Sequence, residues 1–445
     1  MTARYWCESA WLGGDSAADS VLVSVDGGRI TAVEARIDRP ADAVALRGVV
    51  LPGLANAHSH AFHRALRGRT QTGTGSFWTW REQMYAAAAS LQPDLYGRLA
   101  RAVFAEMAMA GITCVGEFHY LHHQPGGTPY ADPNEMGHAL AAAAAEAGVR
   151  LTLLDTCYLH GGIGIAPNAL QRRFSDGSAE RWAARVAALR PGAGLRIGVA
   201  IHSVRAVDPG AIGLVAAWAA AEGRVLHAHV SEQPAENAQC RETFGLSPVA
   251  LLAARGALGP AFTAVHATHL DDADIDRLGA SGSTVCLCPT TERDLADGIG
   301  GASALHAAGA RLALGSDSHA MIDLLEEARA VELDERLLSG RRGLHAVPAL
   351  LEAATASGHR SLGWAEAGRL AVGALADLVT LRLDSVRTAG LDVDSLLAGA
   401  VYAATAADVS HVLCGGRLVV SEGRHCSLDV PRELAAAIRD AVTAA

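Results

Sequence analysis

The feature that most constrains this chain is an alternation between Leu51 and about residue 368, where short apolar runs are followed by alanine-rich stretches with helical spacing. The first of eight such runs ends near His58, and the others begin at Ile112, Leu151, Leu195, Arg224, Phe262, Thr284 and Leu312. Eight strand-then-helix units predict an α/β fold, a closed parallel (β/α)8 barrel of the TIM type. A doubly wound open sheet is the alternative, but no Gly-x-Gly-x-x-Gly motif or phosphate loop opens any of the helices.

The two ends of the chain have a different pattern, with short strand-like runs separated by glycine turns. Asp26-Gly27-Gly28 near one end and Gly415-Gly416 near the other each separate two such runs, as hairpin turns do. We therefore predict that residues 1–50 and 369–445 form one small β-sandwich domain built from both termini. Residues 51–368 are predicted to form the barrel.

Charge and hydropathy limit the partners of the protein. A formal net charge of -10 argues against a nucleic-acid surface, which needs clustered positive charge. We find no apolar stretch of about eighteen residues and no basic-then-apolar leader after Met1, which predicts no membrane contact. The eight cysteines lack the spacing of a disulfide framework or a zinc ribbon. We expect a cytoplasmic homodimer that acts on a small molecule.

The sequence contains no lysine. This excludes a Schiff-base lysine, a phosphate-loop lysine and a carboxylated lysine that bridges two metal ions. The long basic side chains are therefore all arginine, whose planar fork favours the recognition of carboxylates.

Ionisable residues gather at the carboxyl ends of the predicted strands, where barrel enzymes carry their chemistry. His58 and His60 end the first strand, His229 ends the fifth and Asp317 ends the eighth. Three nitrogens and one oxygen suit one divalent ion, zinc or iron, with room left for water. An isolated His-x-His pair without partners is the alternative, and the shared placement of the other residues favours the metal site.

Glu232 lies three residues after His229, and we interpret it as a proton shuttle over the metal. The alternative is a role at a helix start, because Ser231-Glu232-Gln233-Pro234 also has the pattern of a helix cap. We favour the shuttle because the preceding histidine is already assigned to the metal.

Together these motifs resemble the amidohydrolase superfamily over the whole chain. Pro52-Gly53 precedes the His-x-His pair, Gly315-Ser316-Asp317 follows the eighth strand, and Gly373-x-x-Ala376-Asp377 opens a late strand. The resemblance implies a metal-bearing barrel with a small β-sandwich from both termini. Without a lysine, it implies the mononuclear, deaminase-like branch, with one divalent metal per subunit, zinc before iron.

Narrower motifs resemble the formimidoylglutamate deiminases within that superfamily. These motifs are His58-Ser-His60-Ala-Phe62, Ser76-Phe-Trp-Thr-Trp-Arg81-Glu-Gln-Met-Tyr85, Glu117-Phe-His-Tyr120-Leu-His-His, His202-Ser-Val-Arg205-Ala-Val and Cys288-Pro-Thr-Thr-Glu292. The resemblance implies hydrolysis of N-formimidoyl-L-glutamate to N-formyl-L-glutamate and ammonia, a step of histidine degradation. His63 departs from the pattern, since glutamine is expected there, and we place it among the substrate contacts without a defined role.

A substrate with two carboxylates needs fixed positive forks beside the metal. Arg81 and Arg205 are the candidates, and for Arg81 the alternative is a surface arginine on a helix. The resemblance implies that Tyr120 and His202 add hydrogen bonds to the same carboxylates.

The predicted mechanism assigns three catalytic residues. Asp317 accepts a proton from the activated water, and Glu232 delivers a proton to the departing nitrogen. His266 stabilises the tetrahedral intermediate. His269 is the alternative for this role, and the spacing in related deaminases favours His266, with His269 structural.

Two rival functions remain open at this point. One is another mononuclear aminohydrolase, acting on guanine, a modified adenosine or a triazine, which would need stacking aromatics and amide contacts instead of two arginines. The other is a catalytically silent scaffold with the barrel fold, which predicts broken metal ligands, whereas all four are present.

Overall fold

The computed structural model describes residues 2–72 and 74–444. The chain begins with the strands β1 (Ala3–Ala10), β2 (Ala18–Asp26), β3 (Arg29–Glu34) and β4 (Val44–Pro52). β1 pairs antiparallel with β2 and parallel with β4. The predicted turn between β2 and β3 is present, and Gly27 and Gly28 both have positive φ, +55° and +77°, as a tight hairpin turn of this kind requires.

The next strands form the barrel. They are β5 (Leu54–Ser59), β6 (Ile112–His119), β7 (Arg150–Cys157), β8 (Leu195–Ile201), β9 (Leu226–Val230), β10 (Phe262–His266), β11 (Thr284–Leu287) and β12 (Arg311–Leu314). Neighbours in this order pair in parallel, and a bridge between Ser59 and Asp317 joins the last strand to the first. Every residue of β5, β6 and β7 is buried, as expected of parallel strands covered on both faces. The predicted (β/α)8 barrel is confirmed.

Four late strands complete the sheet that the N-terminal strands begin. They are β13 (Leu378–Leu381), β14 (Val409–Cys414), β15 (Arg417–Ser421) and β16 (Arg424–His425). β13 pairs antiparallel with β4, and this pairing joins the two ends of the chain. The strand order is β16-β15-β14-β13-β4-β1-β2-β3. The predicted assembly of a second sheet from both termini is confirmed, and the domain boundaries at residues 50 and 369 stay predictions.

Helices surround the barrel. They are α1 (Phe77–Ser90), α2 (Pro93–Met109), α3 (Glu135–Ala147), α4 (Ala179–Val186), α5 (Pro209–Ala221), α6 (Pro234–Phe244), α7 (Pro248–Ala254), α8 (Asp272–Ala280), α9 (Pro289–Asp294), α10 (Ala302–Ala307), α11 (Leu324–Ser339), α12 (Val347–Glu352), α13 (Gly358–Ser361), α14 (Leu396–Tyr402) and α15 (Val430–Ala444). Short 3₁₀ helices cover Ala61–Leu66, Gln171–Phe174 and Ala406–Asp408, and a π-helix covers Ala353–Ser357. Among the described residues, none of these helices has the length and apolar character needed to span a bilayer.

Candidate active site

The carboxyl ends of β5, β9 and β12 bring together the four side chains that we predict to bind a metal ion. His58 Nε2 lies 3.1 Å from His229 Nε2 and 3.3 Å from Asp317 Oδ1. His60 Nε2 lies 3.4 Å from the same Asp317 oxygen. All four residues are buried. The four residues predicted as metal ligands therefore converge at one point in the mouth of the barrel.

Backbone carbonyls orient two of the histidine rings. The carbonyl oxygen of Phe118 lies 2.9 Å from His60 Nδ1, and that of His202 lies 3.0 Å from His229 Nδ1. Because a carbonyl only accepts, each Nδ1 carries the proton and each Nε2 presents a lone pair to the cluster. Burial and the neighbouring His58 lower the pKa of His60 to about 3, and burial lowers the pKa of His229 well below its usual value. Neutral imidazoles are the form that binds a metal ion.

The spacing of these donor atoms fits a metal ion. Ligands that stand about 2.1 Å from zinc at tetrahedral angles lie about 3.4 Å from one another. The His58–His229, His58–Asp317 and His60–Asp317 separations run from 3.1 Å to 3.4 Å. His58 belongs to two donor groups, one with His229 and His266 and one with His60 and Asp317. Three imidazoles and one carboxylate are a donor set that suits zinc or iron.

A glycine turn after β12 brings the carboxylate of Asp317 across to β5. A Cβ on Gly315 would lie 2.7 Å from His58 Cβ, so a larger residue there would push a ligand out of place. The Ser316 backbone N–H donates to Asn56 Oδ1 at 3.0 Å, and Asp317 has a left-handed φ of +38°. The Gly-Ser-Asp motif thus has a geometric reason, since it permits close approach and a sharp change of direction.

His266, at the end of β10, lies beside the metal-binding cluster. Its Nε2 is 3.7 Å from Glu232 Oε1 and 3.8 Å from Asp317 Oδ2. Burial lowers the pKa of His266, but the carboxylates of Glu232, Glu292 and Asp317 outweigh burial and raise it to about 10. His269 instead bonds through Nε2 to a backbone carbonyl at 2.7 Å. The structure therefore brings His266, and not His269, to the proposed reaction centre.

Glu232 is held by an arginine and does not cap a helix. The N-cap of α6 is Gln233, and α6 begins at Pro234. Arg205 Nη2 donates to Glu232 Oε2 at 2.9 Å, and Arg205 Nε lies 3.0 Å from Glu236 Oε2. Glu236 is fully buried, and no sequence motif marks it. Two carboxylates therefore hold one edge of the Arg205 guanidinium group.

The remaining edge of that guanidinium is available for a ligand. Within residues 2–72 and 74–444, Arg205 Nη1 has no hydrogen-bond or ion-pair partner. An arginine carries five donors in a rigid fork, so the edge that carries Nη1 can still bind a second carboxylate. The predicted substrate role of Arg205 is thus compatible with its pairing to Glu232.

Helix α1 carries Arg81 and is fixed at both ends. The Ser76 backbone N–H donates to Thr79 Oγ1 at 2.9 Å, which orders the first turn. Just beyond the other end, buried Arg173 donates to the carbonyl oxygen of Leu91 at 2.6 Å. A helix anchored in this way gives Arg81 a defined position over the barrel mouth.

Arg81 is a cation without a carboxylate partner. Its guanidinium group stacks on the Trp78 ring at 4.5 Å and lies 5.5 Å from the centre of the Tyr85 ring. In the part of the chain that the structure describes, no Asp or Glu lies within ion-pair distance of it. Arg81 lines a cavity whose wall also includes His60, His229 and Asp317.

That cavity has a volume of about 180 Å³ and lies over the barrel mouth. Its wall includes every residue predicted to contact substrate, namely His63, Arg81, Tyr120, His202 and Arg205. His63 Nε2 and the Tyr120 hydroxyl are 3.1 Å apart, and His202 Nδ1 lies 3.1 Å from Ser203 Oγ. The structure therefore gathers the predicted substrate residues around one small space beside Asp317.

Several aromatic residues in the same wall have no predicted role. Tyr85 belongs to a quoted motif, but Tyr158 at the end of β7 and Phe174 carry no motif at all. Their only sequence signal is a place directly after a strand or inside a loop at the barrel mouth, which is weak by itself.

Comparisons with known proteins define the class of this protein. The Amidohydrolase family model matches residues 49–419, and the chain belongs to this family. It is 40% identical to formimidoylglutamate deiminase of Pseudomonas aeruginosa, over 91% of each chain. It is 32% identical to 8-oxoguanine deaminase of the same organism, again over 91% of each chain. The crystal structure of an amidohydrolase from Brucella melitensis matches with a TM-score of 0.92 and 34% identity, covering 99% of this chain and 100% of that one.

The comparisons and the residues of the site indicate the same class of protein. The protein is a hydrolase of the amidohydrolase family, with buried histidine and aspartate groups that can hold a metal ion at the mouth of its barrel. The two relatives act on different substrates, as their names state, so the choice of substrate depends on the cavity wall.

Proposed function

We propose that this protein hydrolyses N-formimidoyl-L-glutamate to N-formyl-L-glutamate and ammonia, using one zinc ion. The observation that carries the proposal is the pair of arginines in the cavity wall. Arg81 has no carboxylate partner among the described residues, and Arg205 keeps an edge with an unpaired Nη1. Two planar forks match a substrate with two carboxylates. The likeness to the Pseudomonas formimidoylglutamate deiminase supports the same reaction.

The size of the cavity supports a small acyclic substrate. Its volume of about 180 Å³ lies below the roughly 300–1,000 Å³ that is common for drug-sized ligands. A purine would leave the arginines without anionic partners. These features favour the formimidoyl substrate over 8-oxoguanine or an adenosine derivative.

The residues of the cluster define where the chemistry would take place. His58, His60, His229 and Asp317 would hold a divalent ion, and such an ion would lower the pKa of a water molecule toward about 7 and so provide a nucleophile at neutral pH. Asp317 lies beside His58, His60 and His266, where its carboxylate accepts the proton that the water loses.

Two further residues complete the proposed mechanism. The water oxygen bonds to the formimidoyl carbon, and the bond from that carbon to the imino nitrogen breaks, so ammonia leaves and a formyl group remains. Both hydrogens of the water end on the departing nitrogen, and Glu232 relays protons to that nitrogen from the water and from Asp317. Arg205 keeps the Glu232 carboxylate oriented at 2.9 Å. His266, which faces both Glu232 and Asp317, donates a hydrogen bond to the oxygen of the tetrahedral carbon.

Replacing Arg81 with methionine is expected to raise KM roughly tenfold to a hundredfold, because hydrogen bonds to charged groups contribute about 1.5–3 kcal/mol. Methionine keeps an apolar stem against Trp78, so we expect kcat to change little. The measurement is ammonia release against the concentration of N-formimidoyl-L-glutamate. Arg98→Met is the matched control, because Arg98 lies on α2 and pairs with Asp440 at 2.8 Å.

The same assay separates the proposed substrate from its nearest rival. N-formimidoyl-L-glutamate and 8-oxoguanine are compared at equal concentration in wild type and in Arg205→Ala. We expect wild type to turn over N-formimidoyl-L-glutamate. We expect Arg205→Ala to lose this activity. Preferred turnover of 8-oxoguanine that persists in Arg205→Ala would show a purine deaminase instead.

A further inference from the structure

A buried glutamine lies behind two tyrosines of the cavity wall. Gln171 is 3% exposed and begins the 3₁₀ helix Gln171–Phe174. Its Nε2 donates to the hydroxyl oxygens of Tyr85 and Tyr158, both at 2.9 Å. Tyr85 comes from α1 and Tyr158 follows β7, so one side chain ties the helix that carries Arg81 to the barrel mouth.

The orientation of the Gln171 amide follows from its third contact. The Asn168 backbone N–H points at Gln171 Oε1 from 2.9 Å, and a backbone N–H can only donate. The amide oxygen must therefore lie on that side, and the NH₂ group must face the tyrosines. Because NH₂ only donates, the oxygens of both tyrosines act as acceptors toward Gln171.

The hydroxyl hydrogens of the two tyrosines must then point elsewhere. Among the described residues, neither Tyr85 nor Tyr158 donates to a protein oxygen beyond this pair. At most one hydrogen is used between the two hydroxyl groups, so at least one has no protein acceptor among the described residues and is free to point into the cavity that both tyrosines line. Burial raises the pKa of Tyr158 well above its usual value, so this hydroxyl keeps its proton.

The charges around the pair favour an anion. Arg81 lies 5.5 Å from the Tyr85 ring centre, and Arg81 and Arg205 line the same cavity as both tyrosines. A hydroxyl donor beside two guanidinium groups matches a carboxylate, which accepts several charge-assisted hydrogen bonds at once.

We propose that Tyr85 and Tyr158, whose donor direction Gln171 fixes, form a further carboxylate-binding pair that selects dicarboxylate substrates. This assignment rests on the proposed function and extends it. Gln171 is a positioning residue, because it acts through the tyrosines. The tyrosines contact the substrate on the side of the cavity that faces α1.

The test measures binding of glutarate, a plain dicarboxylate, to the zinc-loaded protein by titration calorimetry. Tyr158→Phe and Tyr85→Phe each keep the ring and remove the donor, and we expect at least one of them to raise the Kd about tenfold. Gln171→Glu keeps the acceptor for Asn168 but turns both tyrosine donors toward itself, so we expect its Kd to rise about a hundredfold. In turnover assays KM follows Kd, and kcat stays within about threefold of wild type.

Control variants distinguish failure of the tyrosine assignment from failure of the proposed function. Tyr5→Phe removes a hydroxyl that donates to a backbone oxygen in the outer sheet at 3.3 Å, and it should leave the glutarate Kd unchanged. Unchanged Kd in both phenylalanine variants at the cavity, or no glutarate binding by wild type, overturns this assignment. Wild type that binds glutarate but releases no ammonia from N-formimidoyl-L-glutamate overturns the proposed function instead. If Gln171→Glu does not fold, the phenylalanine variants decide the question.

Discussion

Replacing Asp317 with alanine is expected to lower ammonia release from N-formimidoyl-L-glutamate by about 10⁴-fold or more. The substitution removes both the oxygen ligand of the cluster and the group that accepts the proton of the water, and proton transfer alone contributes up to about 10⁴. The backbone bond from Asp317 N to the carbonyl oxygen of His58, at 3.0 Å, does not involve the side chain. We therefore expect the barrel to stay closed and the protein to stay folded.

The control for this result is Asp317→Asn. Asp317 has φ +38°, a conformation that asparagine tolerates better than alanine, so Asp317→Asn separates backbone strain from lost chemistry. Both variants should be inactive, with melting temperatures close to that of wild type. Substantial activity in either folded variant would contradict the role of Asp317.

Replacing Glu232 with glutamine is expected to lower kcat by about 10² to 10⁴, the range for loss of a general acid or base. Glutamine has the same shape and still accepts from Arg205, so the clamp stays in place while the transferable proton is lost. Metal content, measured by elemental analysis, should equal that of wild type because Glu232 is outside the ligand set. The measurement is kcat for ammonia release at saturating substrate.

Glu236→Gln provides the matched comparison. Glu236 contacts the same arginine at 3.0 Å and accepts from the Ser231 backbone N–H at 3.1 Å, but it lies outside the cavity wall. We expect its kcat to fall far less than that of Glu232→Gln. An equal loss of kcat in Glu232→Gln and Glu236→Gln would contradict proton transfer by Glu232. It would mean that kcat depends on the balance of charge around Arg205.

The sequence predicted the barrel and the metal cluster because both follow from local patterns. Continuous apolar runs predict parallel strands that are buried on both faces. Every residue of β5, β6 and β7 is buried in the structure. Once such strands close into a barrel, their carboxyl ends meet, so residues far apart in the chain, such as His58 and Asp317, become neighbours. No knowledge of the loops is needed for that step.

The other contacts in the site depend on how the loops pack, and the sequence pattern does not predict them. Gln171 meets Tyr85 across 86 residues, through a 3₁₀ helix that has no periodic signal. Glu236 lies on the first turn of α6, where an acidic residue ordinarily favours the helix dipole and needs no further explanation. Only the packed structure shows that Glu236 faces Arg205 and that Gln171 donates to two tyrosine hydroxyls in the cavity wall.

The most direct test of the central claim is ammonia release from N-formimidoyl-L-glutamate by wild-type protein before chelation, after chelation and after zinc is restored. The account predicts robust release before chelation, loss of activity together with loss of the metal, and recovery at about one zinc per chain. No release from the zinc-loaded protein, or full activity in protein shown to be free of metal, would contradict it.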